Sequence, residues 1–211
     1  MALVKYNNNS LSSVTSAAGF PAGAMTLIKT LTASSSSTLS FVHGSSDVVL
    51  DSTYPIYLFK FINIHPSGGG SEFQVNFSAD TGSNYNVTKT TTAFYAYHRE
   101  DGGSTTLTYN SSEDLAQSTA FQDLTVASQI GTDNDESASG SMFLYSPSST
   151  TFVKHFISET NYVSDDSTPF SMNCYIAGYA NTTSAIDAVR FQLDTNNMQS
   201  GTIKLYGIKD S

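Results

Sequence analysis

The sequence has 211 residues, with one cysteine, no tryptophan and only 13% charged residues. A lone cysteine, Cys174, cannot form a disulfide within the chain, so no internal cross-link stabilises the fold. It lies in the apolar pattern FSMNCYIAGYA, which is typical of a buried thiol acting as a small hydrophobic side chain. A nucleophilic cysteine needs a histidine or an electropositive setting nearby, and this stretch offers neither.

Basic residues are also scarce. The chain has 9 Lys and Arg against 18 Asp and Glu, which gives a formal charge of −9 at pH 7. Proteins that bind nucleic acid use clustered Lys and Arg to neutralise phosphates, whereas these basic residues are scattered singly. We therefore expect no nucleic-acid partner, and the same charge balance disfavours an anionic membrane surface.

Long apolar runs are missing as well. No run approaches the roughly 18 apolar residues of a membrane-spanning helix. The first residues, MALVKYNNNSLSS, lack the basic region and following apolar region of a signal peptide. We expect no membrane insertion, and synthesis in a cytoplasm without a signal peptide.

Catalytic motifs are absent from the sequence. G-x-S-x-G, the P-loop and the dinucleotide-binding fingerprint do not occur. The histidines do not have the spacing of a metal site; they are His43, His65, His98 and His155. A pair of glycosidase carboxylates leaves no sequence signature, so a polysaccharide-degrading enzyme stays as the least favoured alternative. We predict no catalytic residues and no enzymatic activity.

One loop is strongly acidic. Asp133, Asp135 and Glu136, within TDNDES at 132–137, offer oxygen ligands for calcium. The stretch lacks the Gly and Glu positions of an EF-hand loop, so a solvated acidic loop is the favoured interpretation. We expect no cofactor, with calcium as the alternative. A cation site becomes credible if this loop meets the acidic pair Asp165 and Asp166.

What the sequence does contain is a repeated two-residue periodicity. Hydrophobic residues make up 39% of the chain and aromatic residues 12%, with 13 Phe and 12 Tyr. In EFQVNFSA the apolar residues alternate strictly with polar ones, which predicts a strand with one wet face. YPIYLFKFINIH, residues 54–65, is apolar on both faces, which predicts a central strand covered on both sides.

About ten such strands predict an all-β protein, a single jelly-roll-like antiparallel β-sandwich over residues 25–211. The closing pattern TIKLYG predicts that the last strand pairs near the start of the domain. One helical signal occurs, in SSEDLAQSTAFQDL at 111–124, where a Ser cap and early acids predict a short helix or helical turn.

Residues 1–24 form a polar N-terminal arm without sustained periodicity. Its apolar residues, Leu3, Val4, Tyr6 and Leu11, are candidates for packing on a neighbouring subunit. A free leader without such a role is the equally weighted alternative.

The tyrosines are more numerous than a small core needs. Exposed tyrosines stack on sugar rings and anchor protein interfaces. We select Tyr85, Tyr109 and Tyr162 as candidate glycan contacts. The alternative for each is packing between the sheets with its hydroxyl at the rim.

Two stretches resemble a known group of proteins. NTTSAIDAVRFQLDTNNMQSGTIKLYGIKDS and SSTLSFVHGSSDVVLDSTYPIYLFKFINIHP are similar to β-sandwich virion structural proteins of tailed phages, particularly marine ones. In that group an I-x-x-[IV]-x-[FL] strand leads through a Gly/Ser turn into SGTIxLYGIK. The pattern includes no catalytic residues.

The resemblance implies a non-catalytic protein located in the virion, as a capsid decoration (cement) protein or a tail appendage. We expect it to form a homotrimer and to contact other virion proteins. The alternative is a carbohydrate-binding attachment module that recognises glycans on the host surface.

Overall fold

The computed structural model describes residues 24–209, which fold into twelve β-strands and no helix. The strands are β1 (Met25–Thr32), β2 (Thr38–Val42), β3 (Ile56–Pro66), β4 (Phe73–Ser78), β5 (Lys89–Arg99), β6 (Thr105–Tyr109), β7 (Gln122–Asp123), β8 (Ala138–Tyr145), β9 (Lys154–Val163), β10 (Phe170–Ala180), β11 (Ala188–Leu193) and β12 (Met198–Ile208). The predicted all-β class is confirmed. Because these residues form no helix, none of them forms one able to cross a membrane.

The strands form two antiparallel sheets that pack face to face. One sheet has eight strands in the order β1-β12-β3-β8-β9-β10-β5-β6, and the other has four in the order β2-β11-β4-β7. Strands β1, β2, β3 and β4 pair with β12, β11, β8 and β7 respectively. This nesting of early strands with late ones is a long hairpin rolled into a sandwich, so the predicted jelly roll is confirmed.

Two hairpins widen the larger sheet. The β5–β6 hairpin is inserted between β4 and β7, and the β9–β10 hairpin between β8 and β11. They join each other through the β10–β5 pairing and join the jelly roll through β8–β9. The last strand, β12, lies between β1 and β3, as the closing pattern predicted.

Phenylalanines from both sheets form the centre of the core. Phe191 on the smaller sheet contacts Phe59 and Phe61 on the larger one, with ring centroids 5.3 and 5.2 Å apart. Phe41 and Phe73 complete the cluster around the same ring. All five are essentially inaccessible to solvent. Buried aromatic pairs in such arrangements contribute about 0.5–1.5 kcal/mol beyond the burial of their area.

The predicted helix at 111–124 is wrong. The segment has a turn at 111–112, an isolated bridge at Ser118 and then β7. Ser118 and Lys89 of β5 exchange two backbone hydrogen bonds, at 2.8 and 3.0 Å. The Thr91 N–H donates to the Leu115 carbonyl at 2.9 Å, and the Leu115 N–H donates to the Thr91 Oγ1 at 2.8 Å. Backbone groups that a helix would pair internally are therefore used to attach this segment to the sheet.

The β5–β6 and β9–β10 hairpins form an extension of the larger sheet. The loop between β6 and β8, which contains this segment, covers the inner face of that extension, and we call it the covering loop. Its residues Leu124, Val126 and Ile130 are fully buried. The Val126 amide donates to the Sγ of Cys174 at 3.4 Å, and burial raises the pKa of this thiol to about 12. Cys174 is therefore a buried neutral thiol, as predicted.

Candidate interaction surface

The outer face of the four-stranded sheet is polar. Ser40, Arg190 and Asn76 face each other across β2, β11 and β4, and Thr38, Gln192 and Gln74 form the next row. The Arg190 Nε donates to the Ser40 Oγ at 3.0 Å, and its guanidinium lies 3.8 Å from the centre of the Tyr85 ring. Asn76 is buried, and its amide donates to the Tyr85 carbonyl at 2.7 Å. The other five residues are partly exposed, as on a sheet with one solvated side.

The outer face of the eight-stranded sheet is different. The strand register places Leu27, Tyr206, Leu58, Phe143 and Ile157 opposite one another in turn, so that one apolar row crosses β1, β12, β3, β8 and β9. Leu27 is 51% exposed and Ile157 is 49% exposed. Because cross-strand neighbours lie about 5 Å apart, the row is continuous.

A second apolar row lies beside the first. It runs through Met25, Ile208 and Ile56 to Tyr145, whose ring stacks 6.4 Å from that of Phe143. We call these nine residues the apolar outer face: Met25, Leu27, Ile56, Leu58, Phe143, Tyr145, Ile157, Tyr206 and Ile208. On its other side, the next row carries Lys204, Lys60 and Glu159, which bound the apolar outer face on β12, β3 and β9. Further along the sheet, this row continues through Tyr175, Phe94 and Tyr109. Met25, Leu27 and Ile157 are exposed and Leu58 is only 5% exposed, while the other five residues are partly exposed. Contiguous apolar surfaces of this kind mark interaction sites.

This surface corrects the prediction for β3. The strand is central in its sheet, as predicted, and Tyr57, Phe59 and Phe61 are buried against the core. Its other face was predicted to be covered. No second layer covers that face within residues 24–209, where Lys60 and Ile62 are exposed. The apolar pattern that predicted a covered strand belongs instead to an open surface.

The three candidate glycan tyrosines do not form one site. Tyr162 is 1% exposed, and its hydroxyl lies 2.9 and 2.7 Å from the carbonyls of Val126 and Ser128. The prediction that Tyr162 contacts a glycan is therefore wrong, because the residue ties β9 to the covering loop. Tyr85 is buried beneath Arg190. Tyr109 is 51% exposed on the outer face, where its hydroxyl donates to the Asp114 carboxylate.

The acidic loop is bonded internally. The carboxylate of Glu136 is mostly buried and accepts the backbone N–H of Asp133 at 2.7 Å, while the Glu136 N–H donates to the Asp133 carbonyl at 2.9 Å. The loop does meet that of Asp165, since a Cβ built on Gly131 would overlap both Glu136 and Asp165. Over residues 24–209, however, no three His, Cys, Asp or Glu side chains converge as metal ligands. Calcium binding at Asp133, Asp135 and Glu136 gains no support from this arrangement.

Two carboxyl groups at the edge of the smaller sheet have raised pKa values. Burial, and then the nearby Asp123, Glu113 and Asp194 carboxylates, raise the pKa of Glu72 to about 8. Burial raises the pKa of Asp123 to about 6, although Gln74 donates to its carboxylate at 2.7 Å. Glu72 is therefore largely protonated at neutral pH.

Sequence reasoning missed a pocket on the inner side of the sheet extension. Tyr95 and Tyr97 of β5 line it together with Phe170 and Met172 of β10, Asp166 and Ser128. Tyr95 and Tyr97 were part of the tyrosine surplus but were not selected. The alternation of β5 places them on one face, which is the only signal in the sequence that could have paired them.

Comparison with protein-family models, with curated proteins and with solved structures finds no match to this chain. The fold and the surfaces above therefore carry the functional argument.

Residues 1–23 and 210–211 are outside the described part of the chain. The arm residues Leu3, Val4, Tyr6 and Leu11 fall in the first of these ranges, so their predicted role remains a prediction.

Proposed function

We propose that this protein is a non-catalytic structural component of a tailed-phage virion, displayed on the particle surface as a homotrimer. The observation that carries the proposal is the apolar outer face, which crosses five strands and has no covering layer among residues 24–209. A protein that acts by contact with copies and neighbours needs such a surface. The resemblance of the two sequence stretches to virion proteins supports the location.

The partner on this face is the N-terminal arm of a neighbouring copy. The arm joins β1 at Met25, which is the corner where the apolar outer face begins. Its 24 residues can extend to about 80 Å at roughly 3.3 Å per residue. The eight strands of the sheet are separated by seven spacings of roughly 4.8 Å, so the sheet spans only about 34 Å and the arm can reach the next copy. Lys5 is the only charged residue in the arm, which suits an apolar surface.

This arrangement also accounts for a closed trimer. Cyclic trimers need two different surfaces that fit each other, because each copy contacts the next in the same direction. The arm and the apolar outer face are such a pair.

Sedimentation equilibrium of four proteins tests the proposal: the wild type, Leu27→Asp, Leu107→Asp and a chain lacking residues 1–23. Leu27 and Leu107 are exposed leucines on the two opposite edge strands of the same sheet, so they form a matched pair. We expect a trimer for the wild type and Leu107→Asp, and a monomer for the other two. A trimer in all four would overturn the proposal. A trimer for the truncated chain together with a monomer for Leu27→Asp would show that the apolar outer face contacts a surface of the next copy other than the arm.

The virion location has its own test. Purified particles should contain the chain, and its copy number separates the two roles: many copies indicate capsid decoration, and few indicate a tail appendage. Particles that consistently lack the chain would contradict this location.

Glycan binding is a second candidate function. It is favoured by the pocket of Tyr95 and Tyr97, which combines aromatic rings with a carboxylate.

A further inference from the structure

The pocket on the inner side of the sheet extension has a volume of about 170 Å³. It lies where β5 and β10 approach the covering loop, close to the turn that joins β9 to β10. Tyr95 and Tyr97 point to the opposite side of the sheet from Phe94, which lies on the outer face. A ligand here and a neighbouring copy on the apolar outer face could therefore be bound at the same time.

Three aromatic side chains, Tyr95, Tyr97 and Phe170, form one part of the pocket wall. The Tyr95 and Tyr97 rings are 6.2 Å apart and nearly parallel, with an angle of 14° between their planes. Phe170 meets Tyr97 edge to face at 4.8 Å, and the buried Met172 lies beneath. Packing against Phe170 and a contact of 3.1 Å between the Tyr97 hydroxyl and the Ser104 Oγ fix the Tyr97 ring. The wall is thus held in place before any ligand arrives.

Two polar side chains lie at the rim. The Ser128 hydroxyl donates to the Oδ2 of Asp166 at 3.0 Å, which orients the carboxylate at the mouth of the pocket. Asp166 is otherwise exposed, so its remaining acceptor positions are free to bond hydroxyl groups of a ligand.

The lining selects the class of ligand. No Lys, Arg or His lines the pocket, a carboxylate stands at its mouth, and the chain carries a charge of −9. Anions such as phosphates or acidic sugars are therefore disfavoured. The volume is below the roughly 300 Å³ of pockets that hold drug-sized molecules, so it suits a single small ring.

We infer that this pocket binds one neutral sugar ring, as the terminal residue of a glycan. The apolar C–H face of the ring packs on the Tyr95 and Tyr97 side chains, and its hydroxyls donate to Asp166. Aromatic rings with a carboxylate also bind methylated ammonium groups. The sugar is favoured because Ser128 and Asp166 supply directional hydrogen bonds that a methylated ammonium cannot use. This inference rests on the second candidate function, glycan binding, and is independent of the proposed virion function.

Saturation-transfer NMR with separate ligands tests the inference: glucose, galactose, mannose, N-acetylglucosamine, sialic acid and choline. At least one neutral sugar should receive saturation at its ring C–H protons, with a dissociation constant on the order of 1 mM. Tyr97→Ala and Asp166→Asn should each weaken that binding at least about tenfold. Tyr109→Ala, which removes an exposed tyrosine from the outer face, should leave it unchanged.

Asp166→Asn alters an exposed side chain, so it keeps the test valid if Tyr97→Ala impairs folding. Absence of binding by every neutral sugar, binding of choline or sialic acid alone, or undiminished binding by Asp166→Asn would overturn the inference. None of these variants should change the oligomeric mass, so this outcome is separate from that of the trimer experiment.

Discussion

The outer faces of the two sheets have opposite characters. On the smaller sheet, Ser40, Arg190 and Gln192 present hydroxyl, guanidinium and amide groups to solvent. On the larger sheet, the equivalent outward positions carry leucine, isoleucine, phenylalanine and tyrosine in two continuous rows. Both sheets are antiparallel and both bury their other face in the same core.

This difference is informative because strand formation does not require it. An antiparallel sheet is stable with one polar face, as the smaller sheet demonstrates. Exposed apolar rows contribute little to the fold of an isolated chain and favour association. The composition of the larger sheet's outer face therefore supports the proposal that this face contacts another molecule.

The largest expected effect comes from the core that both sheets share. Phe191→Ala should lower the free energy of unfolding by about 3–5 kcal/mol, because a buried ring in contact with four others is replaced by a cavity. Chemical denaturation with its midpoint and slope measures this loss. A cost below about 1 kcal/mol would mean that the two sheets are not packed as described.

A change on the apolar outer face should instead affect association alone. Ile157→Asp should weaken self-association about 30-fold, corresponding to the roughly 2 kcal/mol of a well-packed interface residue. The unfolding free energy of the monomer should stay within about 0.5 kcal/mol of the wild type. Sedimentation at several concentrations and denaturation of dilute protein separate the two quantities.

Thr38→Asp is the reference for the polar face. It adds the same charge to the outer face of the smaller sheet and should change neither quantity. If Thr38→Asp disrupts the oligomer as much as Ile157→Asp, the contrast between the two faces has no functional meaning.

On the polar face, Arg190→Ala should cost only about 1 kcal/mol of stability. The substitution removes the contact of the guanidinium with the Tyr85 ring and one hydrogen bond to Ser40, both partly accessible to water. Oligomeric mass should not change. Loss of assembly in this variant would place an interface on the smaller sheet as well.

The last prediction concerns the pH dependence of stability at the edge of the smaller sheet. The pKa of Glu72 is raised from 4.5 in the unfolded chain to about 8 in the folded one. As the pH rises, the Glu72 carboxyl group therefore loses its proton at a lower pH in the unfolded chain than in the folded one. The contribution of Glu72 to the free energy of unfolding is complete below pH 4.5 and is lost as the pH rises through 8. Between pH 5 and 7 the thermal midpoint should fall with pH, and Glu72→Gln should flatten that slope. An unchanged slope in the variant would assign the titration to another group.

Much of the fold could be predicted because alternation is local. The strict pattern of Phe73, Val75 and Phe77 placed one face of β4 inward, and the closing TIKLYG strand was correctly expected to pair near the start of the domain. The same alternation could have corrected the prediction that Tyr162 contacts a glycan. Phe156 is apolar and lies six residues earlier on β9, so the two residues share the buried face.

The predictions that failed depend on contacts between residues that are distant in sequence. The segment at 111–124 carries helical signals, but pairing with Thr91 and Lys89 of β5 overrides them. To predict the apolar outer face, one must know the register of five strands. To predict the pocket, one must know that Tyr97 of β5 lies opposite Met172 of β10. Neither register is encoded in any single stretch of sequence.

Hydroxyl-radical footprinting of the assembled protein tests the central claim most directly, by comparing it with protein diluted until it dissociates. If another copy covers the apolar outer face, modification of Met25 and Ile157 should fall several-fold in the assembly. Leu107, which is 73% exposed on the far edge of the same sheet, should be modified equally in both states. Equal modification of Met25 and Ile157 in the two states would contradict the account.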